Sequence, residues 1–122
     1  MINIVADKNI PFLEGVFEPY ANIRYIDGKL ITHEDIIDAD ALIIRTRTKC
    51  NAEMLDGTAV KMISSATIGT DHIDLDYCAE HNIDVHSVPG CNAGGVMQYV
   101  FSALYGMAAR KRIKIEGATF GI

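Results

Sequence analysis

Short β-branched runs alternate along this chain with longer stretches of helical period. "INIVAD" (Ile2 to Asp7), "NIRYI" (Asn22 to Ile26), "ALIIR" (Ala41 to Arg45), "VKMISSA" (Val60 to Ala66) and "IDVHSV" (Ile83 to Val88) read as five strands. Helices are predicted between them. Pro11 suits the first turn of one through "PFLEGVFEPYA", Thr32 can N-cap "THEDIID", Asn51 can cap "AEMLDG" before Gly57, and "DLDYCAEHN" closes at Asn82. The longest periodic segment runs from Asn92 to about Arg112, with Val96, Val100, Leu104 and Met107 recurring at helical spacing. The terminal apolar stretch "ATFGI" (118–122) predicts a sixth strand with no helix after it.

Strands that are apolar nearly throughout and separated by helices must be covered on both faces, which is the condition of a parallel sheet. The fold class is therefore α/β, and right-handed crossovers make it a flavodoxin-like or Rossmann-like sandwich carrying a long C-terminal helix.

Composition narrows the function classes. Sixteen acidic residues against 11 basic ones give a formal charge of −5, which predicts no bulk attraction to nucleic acid or to an anionic membrane surface. No basic n-region precedes an apolar core at the amino end, and no apolar run has the length of a membrane span, so the expectation is a cytoplasmic protein. Cys50, Cys78 and Cys91 include no C-x-x-C pair and read as reduced thiols, while Cys78 with His81 is too small a set for a metal site.

In an open α/β sheet ligands gather at the carboxyl ends of the strands, so the loops after them hold the candidate chemistry. "RTRTKCN" continues the third strand. If it stays extended, Arg45, Arg47 and Lys49 share one side and Thr46 and Thr48 the other, either as a solvated basic edge or as cations and hydroxyls for an anion. "SSATIGTDHID" follows the fourth strand, where small residues and Gly69 can expose amides as an anion-binding nest, or can simply make a tight turn with Asp71 or Asp74 capping the next helix. His72 in that turn reads as structural or solvated rather than as a general base, and Cys91 has no histidine beside it in sequence to activate it. These loops supply hydroxyls, cations and amides suited to an anionic small molecule, and no evident acid–base catalyst.

"ALIIRTRTKCN", "ATIGTDHID", "VPGCNA" and "QYVFSALYGMAAR", in this order and spacing, resemble the amino-terminal region of D-2-hydroxyacid dehydrogenases. The resemblance covers nearly the whole chain. It implies a flavodoxin-like substrate domain over 1–91, then over 92–122 the connecting helix and first strand of a truncated NAD-binding domain. It also implies oxidation of a phosphorylated 2-hydroxy acid with NAD as cofactor. By motif position Thr46 and Thr67 contact substrate, the amides around Ile68 and Gly69 take the carboxylate, and Arg45, Arg47 or Lys49 help hold the phosphate. The family's catalytic arginine, glutamate and histidine lie further along than residue 122, so no catalytic residue is assigned here. Gln98 stands where an acidic residue is common in the family, and Gly94 with Gly95 replace bulkier residues. Two consequences are expected of such a chain: no dehydrogenase activity by itself, and association into a homodimer or larger species through the apolar face of the long helix. The competing class is an anion-binding or metabolite-binding α/β module without catalysis.

Overall fold

The structure is a computed structural model and describes residues 1–121. It divides into two compact units, Met1–Pro89 and Gly90–Ile122. The first holds β1 (Ile2–Asp7), β2 (Ala21–Ile26), α1 (His33–Ile36), β3 (Ala41–Ile44), α2 (Ala52–Leu55), β4 (Met62–Ser65), α3 (Leu75–Glu80) and β5 (Asp84–His86); the second holds α4 (Ala93–Lys111). All strands are parallel, in the order β2-β1-β3-β4-β5. That is the flavodoxin-like order, in which the chain reverses direction across the sheet between β1 and β3.

The apolar alternation within each strand sends side chains to two different faces. Val5, Leu42 and Ile63 lie side by side on β1, β3 and β4, each fully buried, and pack with Ile36 of α1, Leu55 of α2 and Cys78 of α3. The opposite face is a smaller cluster of Ile4, Ala6, Ala21, Ala41 and Ile43, backed by Ile10 and Leu13 from the β1–β2 connection. Burying each Leu or Ile contributes about 1.5–3 kcal/mol, so the helix-covered face supplies most of the stability.

Local chemistry explains the short helices. The Asp35 carboxylate accepts hydrogen bonds from the Thr32 N–H at 2.8 Å and from its hydroxyl at 2.7 Å, and so closes the start of α1. Asn51 Oδ1 accepts from the Met54 N–H at 3.0 Å, and Asp74 Oδ1 from the Tyr77 N–H at 3.0 Å. Asn82, at φ 55°, turns the chain out of α3.

Three expectations change. No helix forms from Pro11 to Ala21: residues 11–20 are a series of turns, with Phe12 at φ 61° and Gly15 at φ 87°, and Ala21 opens β2. Pro19 would remove a donor and clash inside the last turn of such a helix, and the Tyr25 hydroxyl instead holds the turns in place by donating to Glu18 Oε1 at 2.8 Å. β3 stops at Ile44 rather than Arg45, because the chain turns at once: the Thr48 N–H donates to the Arg45 carbonyl at 3.3 Å. The sixth strand is absent among the described residues. Ala118 to Gly121 pair with no strand, and Ile122 lies outside the described residues. A strand is held by its ladder, and here Ala118 and Phe120 instead border a shallow apolar depression with Leu104, Met107 and Ala108 of α4.

Candidate functional site

The carboxyl ends of β3 and β4 feed two loops, 45–51 and 66–74, and one isolated parallel bridge joins them at Cys50 and Ile73. The Cys50 N–H donates to the His72 carbonyl at 2.8 Å, and the Asp74 N–H donates to the Cys50 carbonyl at 2.8 Å. Cys50 is fully buried, and burial pushes its thiol up to about 12, so it packs as a neutral small hydrophobe.

Between the braced loops lies an open cleft of about 290 Å³ lined by Thr46, Lys49, Ile68, Gly69, Asp71 and His72. Thr46, Lys49, Ile68 and Gly69 are expected site residues, and two stretches well separated in sequence thus meet. The N–H groups of Ile68 and Gly69 have no protein acceptor among the described residues, so both remain available as donors. Gly69 sits at φ 89°, a backbone conformation that glycine adopts without a Cβ penalty. The lining charges are Lys49 and Asp71, a cation and an anion across one cleft.

Thr67, Arg45 and Arg47 do not line this cleft. Thr67 is half-buried, its Oγ1 3.2 Å from Ser65 Oγ, which is in turn 3.3 Å from His72 Nε2. Burial holds the His72 imidazole below its usual value, with the neighbouring Asp71 carboxylate pulling the other way. Desolvation disfavours the charged ring, which meets Ser65 on one side and borders the cleft on the other. Arg47 is exposed. The turn at 45–48 also undoes the expected alternation: Thr48 is buried and its hydroxyl donates to the Gly28 carbonyl at 2.8 Å, whereas Thr46 and Lys49 share the cleft.

Arg45 leads to a residue outside the expected site. Its Nε donates at 2.8 Å to Oδ2 of Asp7, a carboxylate with 0% exposure at the end of β1. Asp7 Oδ1 also accepts from the N–H of Asn9 at 2.9 Å, and the Gly28 backbone packs close against the carboxylate. Burial alone would raise the Asp7 carboxyl; the Arg45 guanidinium and the Asn9 amide outweigh it and hold it below the usual value. The available signal was position: an acidic residue at the end of the first strand of an α/β sheet, beside the topological switch. Among the described residues no group of three or more His, Cys, Asp or Glu could hold a metal ion.

The family model for "D-isomer specific 2-hydroxyacid dehydrogenase, catalytic domain" matches residues 2–119. The chain belongs to that family. An erythronate-4-phosphate dehydrogenase of Marinomonas sp. is 41% identical over 121 residues, covering 99% of this chain and 32% of that protein. One from Bacteroides fragilis is 43% identical over 122 residues, 99% of this chain and 35% of the relative. The chain thus spans about a third of the length of the curated relatives it matches. An NAD+-bound 3-phosphoglycerate dehydrogenase of Entamoeba histolytica superposes with a TM-score of 0.65 at 29% identity, over 83% of this chain and 37% of that one. A D-lactate dehydrogenase of Aquifex aeolicus reaches a TM-score of 0.68 over 98% of this chain and 39% of its own; at 18% identity it speaks for the fold alone. In this D-2-hydroxyacid dehydrogenase chain, the cleft and the pair of buried Asp7 with half-buried Arg45 both stand at the carboxyl ends of the sheet, where such folds bind ligands.

Proposed function

We propose that this chain is the substrate-side portion of a cytoplasmic NAD-dependent dehydrogenase that oxidises 4-phospho-D-erythronate at its 2-hydroxyl in pyridoxine (vitamin B6) biosynthesis. The observation that carries the reading is the match along 99% of the chain, at 41% and 43% identity, to erythronate-4-phosphate dehydrogenases. The cleft supports it chemically. The free amides of Ile68 and Gly69 suit a carboxylate, Thr46 supplies a hydroxyl with Thr67 beside Ile68 in sequence, and Lys49, with Arg45 and Arg47 nearby in sequence, supplies positive charge for a phosphate. The chain has no G-x-G-x-x-G cradle, so its own residues do not fit NAD, and the cofactor is assigned to the full-length enzyme.

Two outcomes test this. The purified 122-residue chain, given 4-phospho-D-erythronate and NAD, is expected to form no NADH, while the ligand shifts the amide resonances of Thr46, Lys49 and Gly69. NADH formation would overturn the assignment of catalysis to residues outside the chain, and unmoved resonances would overturn the assignment of the cleft.

Association through the long helix belongs to the same reading. Val96, Val100, Phe101 and Met107 of α4 are 46–58% exposed, more apolar surface than an isolated helix keeps wet without consequence. Light scattering at high protein concentration is expected to report a dimer or larger species. A strictly monomeric profile would count against it.

A further inference from the structure

We propose that Asp7 is a positioning residue of the cleft, one that sets the 45–48 turn, and with it Thr46 and Lys49, by holding the Arg45 guanidinium through its Nε. The proposal rests on the reading of the cleft as an anion site, and it gives a task to a buried charge which that reading leaves without one.

The contacts close into a ring. Asp7 Oδ2 takes the Arg45 Nε–H at 2.8 Å; Arg45 opens the turn that its carbonyl closes with the Thr48 N–H at 3.3 Å; the Thr48 hydroxyl donates to the Gly28 carbonyl at 2.8 Å; and Gly28 packs against the Asp7 carboxylate. The fourth side is a packing contact, Gly28 against the Asp7 carboxylate, and the corners come from the carboxyl ends of three different strands, β1, β3 and β2, on either side of the topological switch. Thr46 lies inside the turn and Lys49 directly after it, so both inherit the geometry of the ring. Arg45 keeps 31% of its side chain exposed and uses only Nε on Asp7. A carboxylate needed only for stability would be expensive to bury here, since an apolar residue could fill the space, whereas fixing a turn that carries two ligand-facing side chains requires a directional partner.

Gly28 shows how closely the ring is fitted. A Cβ at Gly28 would press directly into the Asp7 carboxylate and approach Thr48 Oγ1 to 3.2 Å, so Gly28→Ala displaces the carboxylate while leaving its charge in place.

The test uses the 122-residue chain with Asp7→Asn, Gly28→Ala and, as a control, Ile36→Val, a fully buried core position outside the ring. Affinity for 4-phospho-D-erythronate and for inorganic phosphate is read by NMR titration, and the Arg45 Nε–H and the Thr46 and Lys49 amides are followed without ligand. Asp7→Asn and Gly28→Ala are expected to move these three resonances and to weaken binding about tenfold, the loss of one well-placed hydrogen bond. Ile36→Val is expected to melt earlier yet bind as wild type. Folded Asp7→Asn and Gly28→Ala chains with wild-type affinity, or with unmoved Thr46 and Lys49 amides, would overturn the proposal. If Asp7→Asn does not fold, Gly28→Ala carries the test. If the wild-type chain binds neither ligand, the anion-site reading fails, and the ligand-free resonances still decide whether Asp7 holds the turn.

Discussion

Leu42→Ala is expected to lower the unfolding free energy by about 2–5 kcal/mol, a large part of the roughly 5–15 kcal/mol that a domain possesses. Leu42 is fully buried in β3, the central strand, between Val5 and Ile63 in register. Its neighbours on both sides are β-branched residues held by strand geometry, so they cannot lean in to fill the space that truncation leaves. Urea unfolding should therefore show a lower midpoint at unchanged slope. A shift of under about 1 kcal/mol would mean that the helix-covered face is packed more loosely than its burial indicates.

Arg45→Ala is expected to cost on the order of 2–3 kcal/mol near neutral pH, below the usual cost of breaking a buried pair because solvent reaches the arginine. The more telling result is its pH dependence. In the wild type the Asp7 carboxyl lies below the usual 3.8, so its stabilisation is present above that value and lost as pH falls through the folded-state value. Without Arg45, the desolvation of Asp7 loses its main opponent and the carboxyl moves up. Protonation then relieves the buried charge at a higher pH in the variant. The stability gap between the two proteins should therefore narrow as the medium is acidified toward about pH 4. Urea midpoints of both proteins at neutral and acid pH measure this, and a gap that stays constant or widens would show that Asp7 is not carrying an uncompensated charge in the variant.

The parts of the fold that were legible in sequence are those governed by nearest neighbours. Runs such as "INIVAD" and "ALIIR" have few alternatives to a buried strand, and Thr32 and Asn51 announce helix starts because a short polar side chain can reach amides two or three residues on. Asp74 likewise caps α3, as one of the two readings of its loop required. The 11–21 segment misled because the helical start signal of Pro11 is local, while Pro19 and the Tyr25–Glu18 hydrogen bond act against it from further away, and Phe12 turns left-handed directly after it. At the site, Thr46, Lys49, Ile68 and Gly69 were legible as strand-end residues. The partnership of Asp7 with Arg45 was not, since 38 residues separate them and only the placement of β1 beside β3 joins them. Periodicity carries no information about which strand lies beside which.

The bridge between Cys50 and Ile73 has a thermodynamic consequence for whatever enters the cleft. Loops that close on a ligand lose conformational entropy at the moment of binding, and affinity falls accordingly. Here the two loops are already joined by backbone hydrogen bonds of 2.8 Å, so that ordering belongs to the folding reaction of the sheet. A ligand that entered this cleft would therefore spend little of its binding free energy on joining the two loops.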